Sequence, residues 1–470
     1  METPYLVSFD LFQQLVLWLN VSTNSHRKGR RYLEKTPLLL HVGIDKELER
    51  LHMAHLNDQA EIRQALYQHQ LLLRRVRQLG GSSSAIHEAY IYVFGGFTLD
   101  GPPWLEDVLQ HRHFLRHLKR PERTNKAYSK YLQQAIAGAL SDSRVAPEML
   151  AELENELGNT LVQSSHYMTQ QERAQAFQMA IRCHEAALRI FTLQRYPLQY
   201  SQICMYLGLA YQRYAATGNN AFNNKLSSLE HAIAYYETAT HIFAYYNYQE
   251  QWVQAQTALG AAQAQRFPEM GEEALTQALA CHTAALEVIS HKAAPATWAS
   301  LQTNLGDTHL RFSKHGAGEH CLHALNCYKA ALEVYISYTH PKEWADLHVR
   351  LAAVFQDMAE EQPMKRTNYI GCAIVCCETA LAYYSVNTAP VEYAATLATL
   401  GHLHGMSPGE SRIANLALAE RYYHSSLQIF TGQAFPEEYQ YIEARLHETE
   451  NQRRALLDPQ EAVGTIPVRV

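Results

Sequence analysis

The chain has 470 residues, of which 47% are hydrophobic and 18% are charged. This composition is typical of an ordinary folded protein and excludes collagen-like and low-complexity chains. The formal net charge of −6 argues against a general nucleic-acid-binding protein. The length predicts either several domains or one long repeat array.

The first 146 residues show helical patterns that share no common repeat. The apolar run at 11–19 follows acidic residues and is too short to span a bilayer, so it predicts an amphipathic helix packed on the body of the protein and not a signal peptide. Further helices are predicted to end at the glycine pairs 80–81 and 95–96, and before the second pair a buried helix fits better than a short strand. Two more are predicted at 104–118 and 126–140, as divergent repeats that cap an array.

Basic residues are concentrated in this N-terminal region. Residues 1–146 carry 19 Lys and Arg against 14 Asp and Glu, a net charge of +5. The clusters lie at 27–31, 74–77 and 112–123. Such clusters are typical of solvated helix faces, which we favour, or of a site for an acidic protein or a nucleic acid.

One sequence pattern recurs in six copies through the rest of the chain. The copies begin at Ala180, Ala232, Ala278, Ala324, Ala373 and Ala419, at intervals of 46 to 52 residues. Seventeen residues after the start comes Pro in five copies and Gln249 in the other, followed three residues later by an aromatic residue and seven further on by Leu. Proline is favoured at the first position of a helix, and residues seven apart share one helical face. Each copy therefore predicts two helices, and the Gly that follows the Leu in four copies predicts a close approach between helices.

These repeats predict an all-α fold, a right-handed superhelix or α-solenoid of antiparallel helix pairs. A further helix with Pro147 and Gly158 at the same spacing precedes the first copy. We therefore predict about thirteen helices in a repeat array at 147–454, a helical N-terminal region at 1–146, and a disordered tail at 455–470.

The spacing A-x-x-x-Y-x-x-A-L, carried by Ala324, Tyr328, Ala331 and Leu332, resembles the tetratricopeptide repeat. The units here are longer than the usual ~34 residues. Their Pro-x-x-Trp and Pro-x-x-Tyr openings resemble the long repeats that accompany bacterial caspase-like (CHAT) proteases and bacterial signalling ATPases. The resemblance implies a bacterial, cytoplasmic protein-interaction protein, and it carries over no catalytic residue.

The candidate catalytic and metal-binding residues fit structural roles better. Four cysteines occupy one repeat slot, as expected for packing positions: Cys183, Cys281, Cys327 and Cys376. The histidines at 111–117 and 315–323 lack an H-E-x-x-H motif, and no P-loop is present. A caspase-like Cys–His dyad needs an α/β sheet, for which no alternating strand–helix pattern exists. We therefore expect no enzyme activity, no metal and no cofactor, and the cysteines indicate a reducing, cytoplasmic compartment.

The concave groove of a solenoid, lined by the first helix of each pair, is the predicted binding surface. The groove-binding candidates lie beside each Leu-Gly: Asn155, Asn159, Gln202, Tyr206, Arg213, Gln254, Asn304, Asp307, Arg311, Arg350, Gln356 and His402. Arg213, Arg311 and Arg350 are candidates to pair with carboxylates or phosphates of a bound peptide. The alternative for each candidate is a solvated side chain without a ligand.

The sequence thus predicts a non-catalytic scaffold or sensor that binds a protein or peptide segment in its groove and regulates or recruits an effector. By the resemblance, that effector is a protease or another defence or signalling component. The alternative is a nucleic-acid- or nucleotide-responsive regulator that uses the basic N-terminal region, and a steep salt dependence of binding would distinguish it. A third hypothesis is an enzyme with its site in that region. No membrane partner is expected.

Overall fold

The computed structural model describes residues 9–54, 60–105, 121–165, 168, 170–217, 222–313, 319–408 and 411–457. Over these ranges the secondary structure consists of twenty α-helices and three short 3-10 helices, without strands. The prediction of an all-α, helical-repeat fold is confirmed. Among the described helices, none is both long and apolar enough to cross a bilayer.

Six helices precede the repeats. They are α1 (Phe9–Asn24), α2 (His26–Lys35), α3 (Gly43–Ala54), α4 (Ala60–Gln78), α5 (Ser83–Phe94) and α6 (Pro121–Ser141). The predicted helix at 126–140 corresponds to α6, whereas most of the one predicted at 104–118 lies outside the described residues. The predicted ends at the glycine pairs are confirmed, because Gly80, Gly81 and Gly95 have φ of 90°, 71° and 87°, values that glycine adopts without strain.

Fourteen helices follow. They are α7 (Pro147–Ser164), α8 (Gln170–Ile190), α9 (Pro197–Ala215), α10 (Phe222–Tyr245), α11 (Gln249–Gln265), α12 (Phe267–Met270), α13 (Glu272–Val288), α14 (Pro295–Ser313), α15 (Glu319–Leu332), α16 (Pro341–Glu361), α17 (Arg366–Ala380), α18 (Pro390–Met406), α19 (Arg412–Leu427) and α20 (Pro436–Leu457). Without the single-turn α12, these are the thirteen predicted helices. Each of the five repeat prolines, and Gln249, is the first residue of its helix, where a missing N–H costs no hydrogen bond.

The chain divides into two compact units, residues 1–262 and 263–470, with the boundary inside α11. The predicted boundary at 146/147 remains a prediction. The helix α20 continues to Leu457, and residues 458–470 of the predicted tail lie outside the described residues.

The N-terminal helices of the first unit have a core of their own. Leu15 and Trp18 on α1 are fully buried, as the amphipathic pattern predicts. The indole N–H of Trp18 donates to the carbonyl of Gly29 at 3.1 Å and to the hydroxyl of Tyr90 at 3.2 Å. Behind this core, Gln199 on α9 donates to the α5 carbonyl of Tyr92 at 2.6 Å. The N-terminal helices therefore pack directly against the first helix pairs.

In the repeats, four of the glycines that follow the recurring Leu lie against a ring from the following helix. A Cβ placed on Gly208 would lie 2.5 Å from Tyr236, and one on Gly306 would lie 2.5 Å from Cε1 of Tyr328. The same relation holds for two other pairs, Gly158 with His184 and Gly401 with Tyr423. The structure thus gives the reason for the small residue: the ring fills the space a side chain would need.

One copy changes both members of this pair together. Ala352 replaces the glycine, and Cys377, in the slot that Tyr328 fills in the preceding copy, replaces the ring. Both are buried in one apolar cluster, at 1% and 0% exposure. The larger residue on α16 is thus matched by a smaller one on α17, so that the added methyl group meets no ring.

Two buried histidines in the ring slot make folding sensitive to acid. Burial lowers the pKa of His184 to about 3 and that of His282 to about 4. The folded protein keeps both rings neutral, whereas the unfolded chain takes up protons below about pH 6.5. The free energy of unfolding therefore decreases as the pH falls from about 6.5 towards 4.

We expect His184→Tyr to reduce this acid sensitivity, because tyrosine fills the same slot at Tyr236 and Tyr328. Between pH 7 and pH 5 each buried imidazole accounts for about 2 kcal/mol of lost stability. Urea unfolding at both pH values should show the variant losing about 2 kcal/mol less than the wild type, by the same linkage. His231→Gln, at an exposed site, is the control. An unchanged difference in the His184 variant would refute the assignment.

Candidate functional site

Three of the predicted groove residues line one cavity in the first unit. Gln202 and Tyr206 on α9 and Gln254 on α11 surround a space of about 270 Å³, with Tyr236 and Phe243 of α10 behind them. Met205, Leu209, Gln251 and Ala258 complete the lining. The described residues that form this glutamine cavity are thus all uncharged.

This lining suits an uncharged segment of polypeptide. Each glutamine amide supplies two donor hydrogens and an acceptor oxygen, the complement of a peptide backbone. The ring of Tyr206 stacks on His184, with centroids 5.7 Å apart and planes at 24°, which fixes its orientation. The apolar wall behind offers space for one aliphatic or aromatic side chain.

Two other predicted residues line a cavity in the second unit. Gln356 on α16 and His402 on α18 face a space of about 470 Å³ that is also bounded by Glu437, Glu438 and Tyr441 of α20. Its remaining wall is largely apolar and aromatic, with Phe430 and Ile442 among its residues. We call this space the acidic cavity.

A third cavity, of about 400 Å³, shares His402 and Tyr423 with the acidic cavity. Arg366, Arg412 and Arg445 line it, and we call it the arginine cavity. Because two residues belong to both linings, the two spaces adjoin.

The electrostatic environment of the arginine cavity favours an anion. Arg412 donates to three neutral oxygens: the carbonyls of Gly405 and Ser407, the latter at 3.2 Å, and Oε1 of Gln452 at 2.7 Å. Arg445 pairs with Glu448 at 3.1 Å. Burial lowers the pKa of His402, and the charge of Arg445 lowers it further, so the ring between the cavities is neutral at pH 7.

Two groove candidates bind each other instead of remaining open to a ligand. The guanidinium Nε of Arg350 donates to Asp307 Oδ1 at 2.8 Å, and the hydroxyl of Tyr328 donates to the same oxygen at 2.7 Å. The other end of Arg350 donates to the carbonyl of Asp346 at 3.3 Å. This network connects α14, α15 and α16, so the charged groups of Asp307 and Arg350 have a structural role.

The remaining groove candidates lie outside the three cavities. Arg311 donates to the carbonyl of Ala264 at 3.3 Å. Asn155 Oδ1 accepts from Nδ1 of His184 at 3.0 Å. Asn159 and Asn304 are half-buried, and Arg213 is exposed near the end of α9.

The basic cluster at 74–77 is paired with acidic residues of its own unit. Arg77 and Arg74 contact Asp45 Oδ2 at 2.6 and 3.4 Å. Arg75 contacts Glu88 at 3.7 Å and lies over the ring of Tyr92.

The basic cluster at 27–31 contains one buried charged side chain. Arg30 is 1% exposed, and it donates to Glu34 at 2.6 Å, to Asp100 at 2.5 Å and to the carbonyl of Thr98 at 3.3 Å. The solvated-face interpretation is thus wrong for this residue. The side chains of the cluster at 112–123, and the histidines at 111–117, lie outside the described residues.

The cysteines and the other histidine group show packing environments. Burial raises the pKa of Cys183 to about 12 and those of Cys327 and Cys376 to about 11, so these thiols are protonated and poor nucleophiles. His320 contacts His309, Nδ1 to Nδ1, at 2.8 Å and stacks on Phe312. Among the described residues, no group of three His, Cys, Asp or Glu side chains is arranged to hold a metal ion.

No protein-family model and no curated protein matches the chain. Among solved structures, the chain is similar to a Rap protein complexed with competence and sporulation factor, with 14% identity over 83% of this chain and 97% of that one and a TM-score of 0.39. It is also similar to the yeast Tom70, with 13% identity over 96% and 98% of the two chains and a TM-score of 0.29. A circular tandem repeat protein matches at 13% identity over 97% and 98%, with a TM-score of 0.25. Function is therefore inferred from the geometry of the chain itself.

Proposed function

We propose that the protein is a non-catalytic scaffold or sensor that binds a peptide segment of a partner protein along the first helices of its repeats. The observation that carries this proposal is the glutamine cavity. There, three residues that the repeat pattern predicts to face the groove line one uncharged space between α9 and α11. Amides at the rim and an apolar wall behind them form a typical site for one peptide side chain and its backbone.

Binding energy in such a site is expected to come from a few anchors. Tyr206 is the best placed, because its ring is held by His184 and it lines the cavity. Gln202 and Gln254 would orient the peptide through hydrogen bonds to its backbone. The bound segment would belong to an effector that the protein regulates or recruits. Its nature as a protease or signalling component rests only on the resemblance of the repeats.

The proposal predicts that random peptides contain binders that depend on this cavity. A displayed library of random twelve-residue peptides would be selected on the wild-type protein, and the affinity of each enriched peptide would be measured by fluorescence anisotropy. We expect Tyr206→Ala to weaken binding at least tenfold, since loss of an aromatic anchor costs about 2 kcal/mol or more. Gln254→Ala is expected to have a smaller effect in the same direction.

The control is Tyr245→Ala, which removes a tyrosine of the same unit that is 83% exposed and lies outside the cavity lining. It should leave the affinities unchanged. Failure to enrich any peptide would refute the proposal. Equal losses in the Tyr206 and Tyr245 variants would also refute it, because the cavity would then not be the binding site.

A further inference from the structure

The two adjoining cavities of the second unit lie along one face of α20. Glu438, Tyr441, Arg445, Glu448 and Gln452 follow one another at intervals of three and four residues, the spacing of a single helical face. The first two line the acidic cavity and the last three line the arginine cavity. The face therefore begins at a carboxylate and ends beside Arg366 and Arg412 of neighbouring helices, which give the second cavity its excess of positive charge.

The charges at its two ends have different surroundings. At the acidic end, Glu437 and Glu438 are exposed, and the described lining contains no Lys or Arg. At the other end, three guanidinium groups and one carboxylate, Glu448, form the described charged lining. The remaining charge at either end is thus available to a ligand of opposite sign, and aromatic side chains lie between the two.

We propose that this face binds a peptide segment in which a lysine or arginine and an acidic side chain are three residues apart. The inference rests on the proposed function and names the chemistry of a second subsite for the same kind of partner. The cationic side chain enters the acidic cavity, where its aliphatic part lies on Tyr441 and Phe430. The carboxylate enters the arginine cavity, where guanidinium groups form charge-assisted hydrogen bonds with it.

The spacing follows from the helix. Glu438 and Arg445 are seven residues apart, which corresponds to about 10 Å along an α-helix. In polyproline II conformation the rise is about 3.1 Å per residue and three residues complete one turn. Side chains at positions i and i+3 therefore project from the same side at about 9 Å. Aromatic-lined surfaces are frequent binding sites for such segments.

The probe is an acetylated, amidated and fluorescein-labelled peptide containing Lys-Pro-Pro-Glu, made in both chain directions and measured by anisotropy. We expect the better direction to bind at least tenfold more tightly than a peptide of the same composition with Lys and Glu adjacent. It should also bind at least tenfold more tightly than Lys-Pro-Pro-Lys. If Lys-Pro-Pro-Lys binds equally well, the arginine cavity has no role and the inference is wrong.

A charge exchange in the protein tests the acidic end. The double variant Glu437→Lys/Glu438→Lys should bind the Lys-Pro-Pro-Glu peptide at least tenfold more weakly than the wild type. It should bind Glu-Pro-Pro-Glu in its place. The matched control is Glu272→Lys/Glu273→Lys, because those exposed glutamates also lie in the first turn of their helix, α13, and the change in net charge is identical. Equal losses in both double variants would overturn the inference.

The two proposals fail separately. If library-selected peptides depend on Tyr206 while Lys-Pro-Pro-Glu does not bind, only the subsite in the second unit is disproved. If neither the library nor the probe yields binding, the peptide-binding function itself is disproved.

Discussion

Gly306→Ala is expected to destabilise the protein by about 2–3 kcal/mol, the upper range for overpacking a core. The added methyl carbon would lie 2.5 Å from Cε1 and 2.8 Å from Cδ1 of Tyr328. That ring cannot easily move, because it is fully buried and its hydroxyl donates to Asp307 at 2.7 Å. The loss would be measured as a decrease in the free energy of unfolding in urea.

Gly371→Ala provides the matched control, because Gly371 is also helical and a Cβ there would meet nothing within 4 Å. That variant should be neutral or more stable by up to about 1 kcal/mol, since alanine has the higher helix propensity. If both variants had the same effect, ring packing would not be the reason for the repeat glycine.

The natural Ala352 and Cys377 combination predicts a partial rescue. Tyr328→Cys alone should be destabilising because it leaves a cavity. In that background the further change Gly306→Ala should cost less than in the wild type, with a coupling energy of about 1–3 kcal/mol in a double-mutant cycle. Additive effects would contradict size matching between the two positions.

The second large effect is expected at Arg30. Replacement by methionine should lower the free energy of unfolding by about 3 kcal/mol, because it removes the buried guanidinium partner of Glu34, while Asp100 keeps Arg31. Glu34 is the more enclosed of the two carboxylates, at 23% side-chain exposure, whereas Asp100 is 49% exposed. The partial exposure of Asp100 keeps the expected cost at the lower end of the range for buried pairs.

The neighbouring Arg31→Met is a stringent control. Arg31 pairs with the same Asp100 carboxylate at 2.6 Å, but its side chain is 56% exposed. An exposed pair contributes about 0–1 kcal/mol, so this variant should unfold at nearly the wild-type urea concentration. A comparable decrease in the free energy of unfolding in both variants would show that the burial of Arg30 is not the reason for the large effect.

The sequence contained enough information to place the first helices of the repeats. The prolines and Gln249 mark helix starts because the first turn needs no N–H from proline, which is a local property. The recurrence of Leu and a small residue indicated where neighbouring helices approach. The ring that requires a glycine at position 306 is that of Tyr328, on the next helix. Tyr328 occupies the aromatic position of the tetratricopeptide-like spacing, a position already identified from the sequence.

The candidate site was foreseen only in part. Gln202, Tyr206 and Gln254 line the glutamine cavity, but the predicted ligand arginine Arg350 is paired with Asp307. Arg445, which lines the arginine cavity, was not among the predicted residues. It precedes Leu446 as Tyr206 and Arg350 precede their own leucines, but His447 replaces the small residue that marks the pattern in other copies.

By itself, the sequence determined the helices, their order and the faces on which they pack, because helical periodicity is set by neighbours within a few residues. Only the tertiary structure decided which polar groups satisfy one another and which line open space. Asp307 and Arg350 are 43 residues apart, and Arg30 and Asp100 are 70 apart, so no local pattern connects them. Cavities likewise form between side chains from different helices, and their charge depends on pairings that only the folded chain fixes.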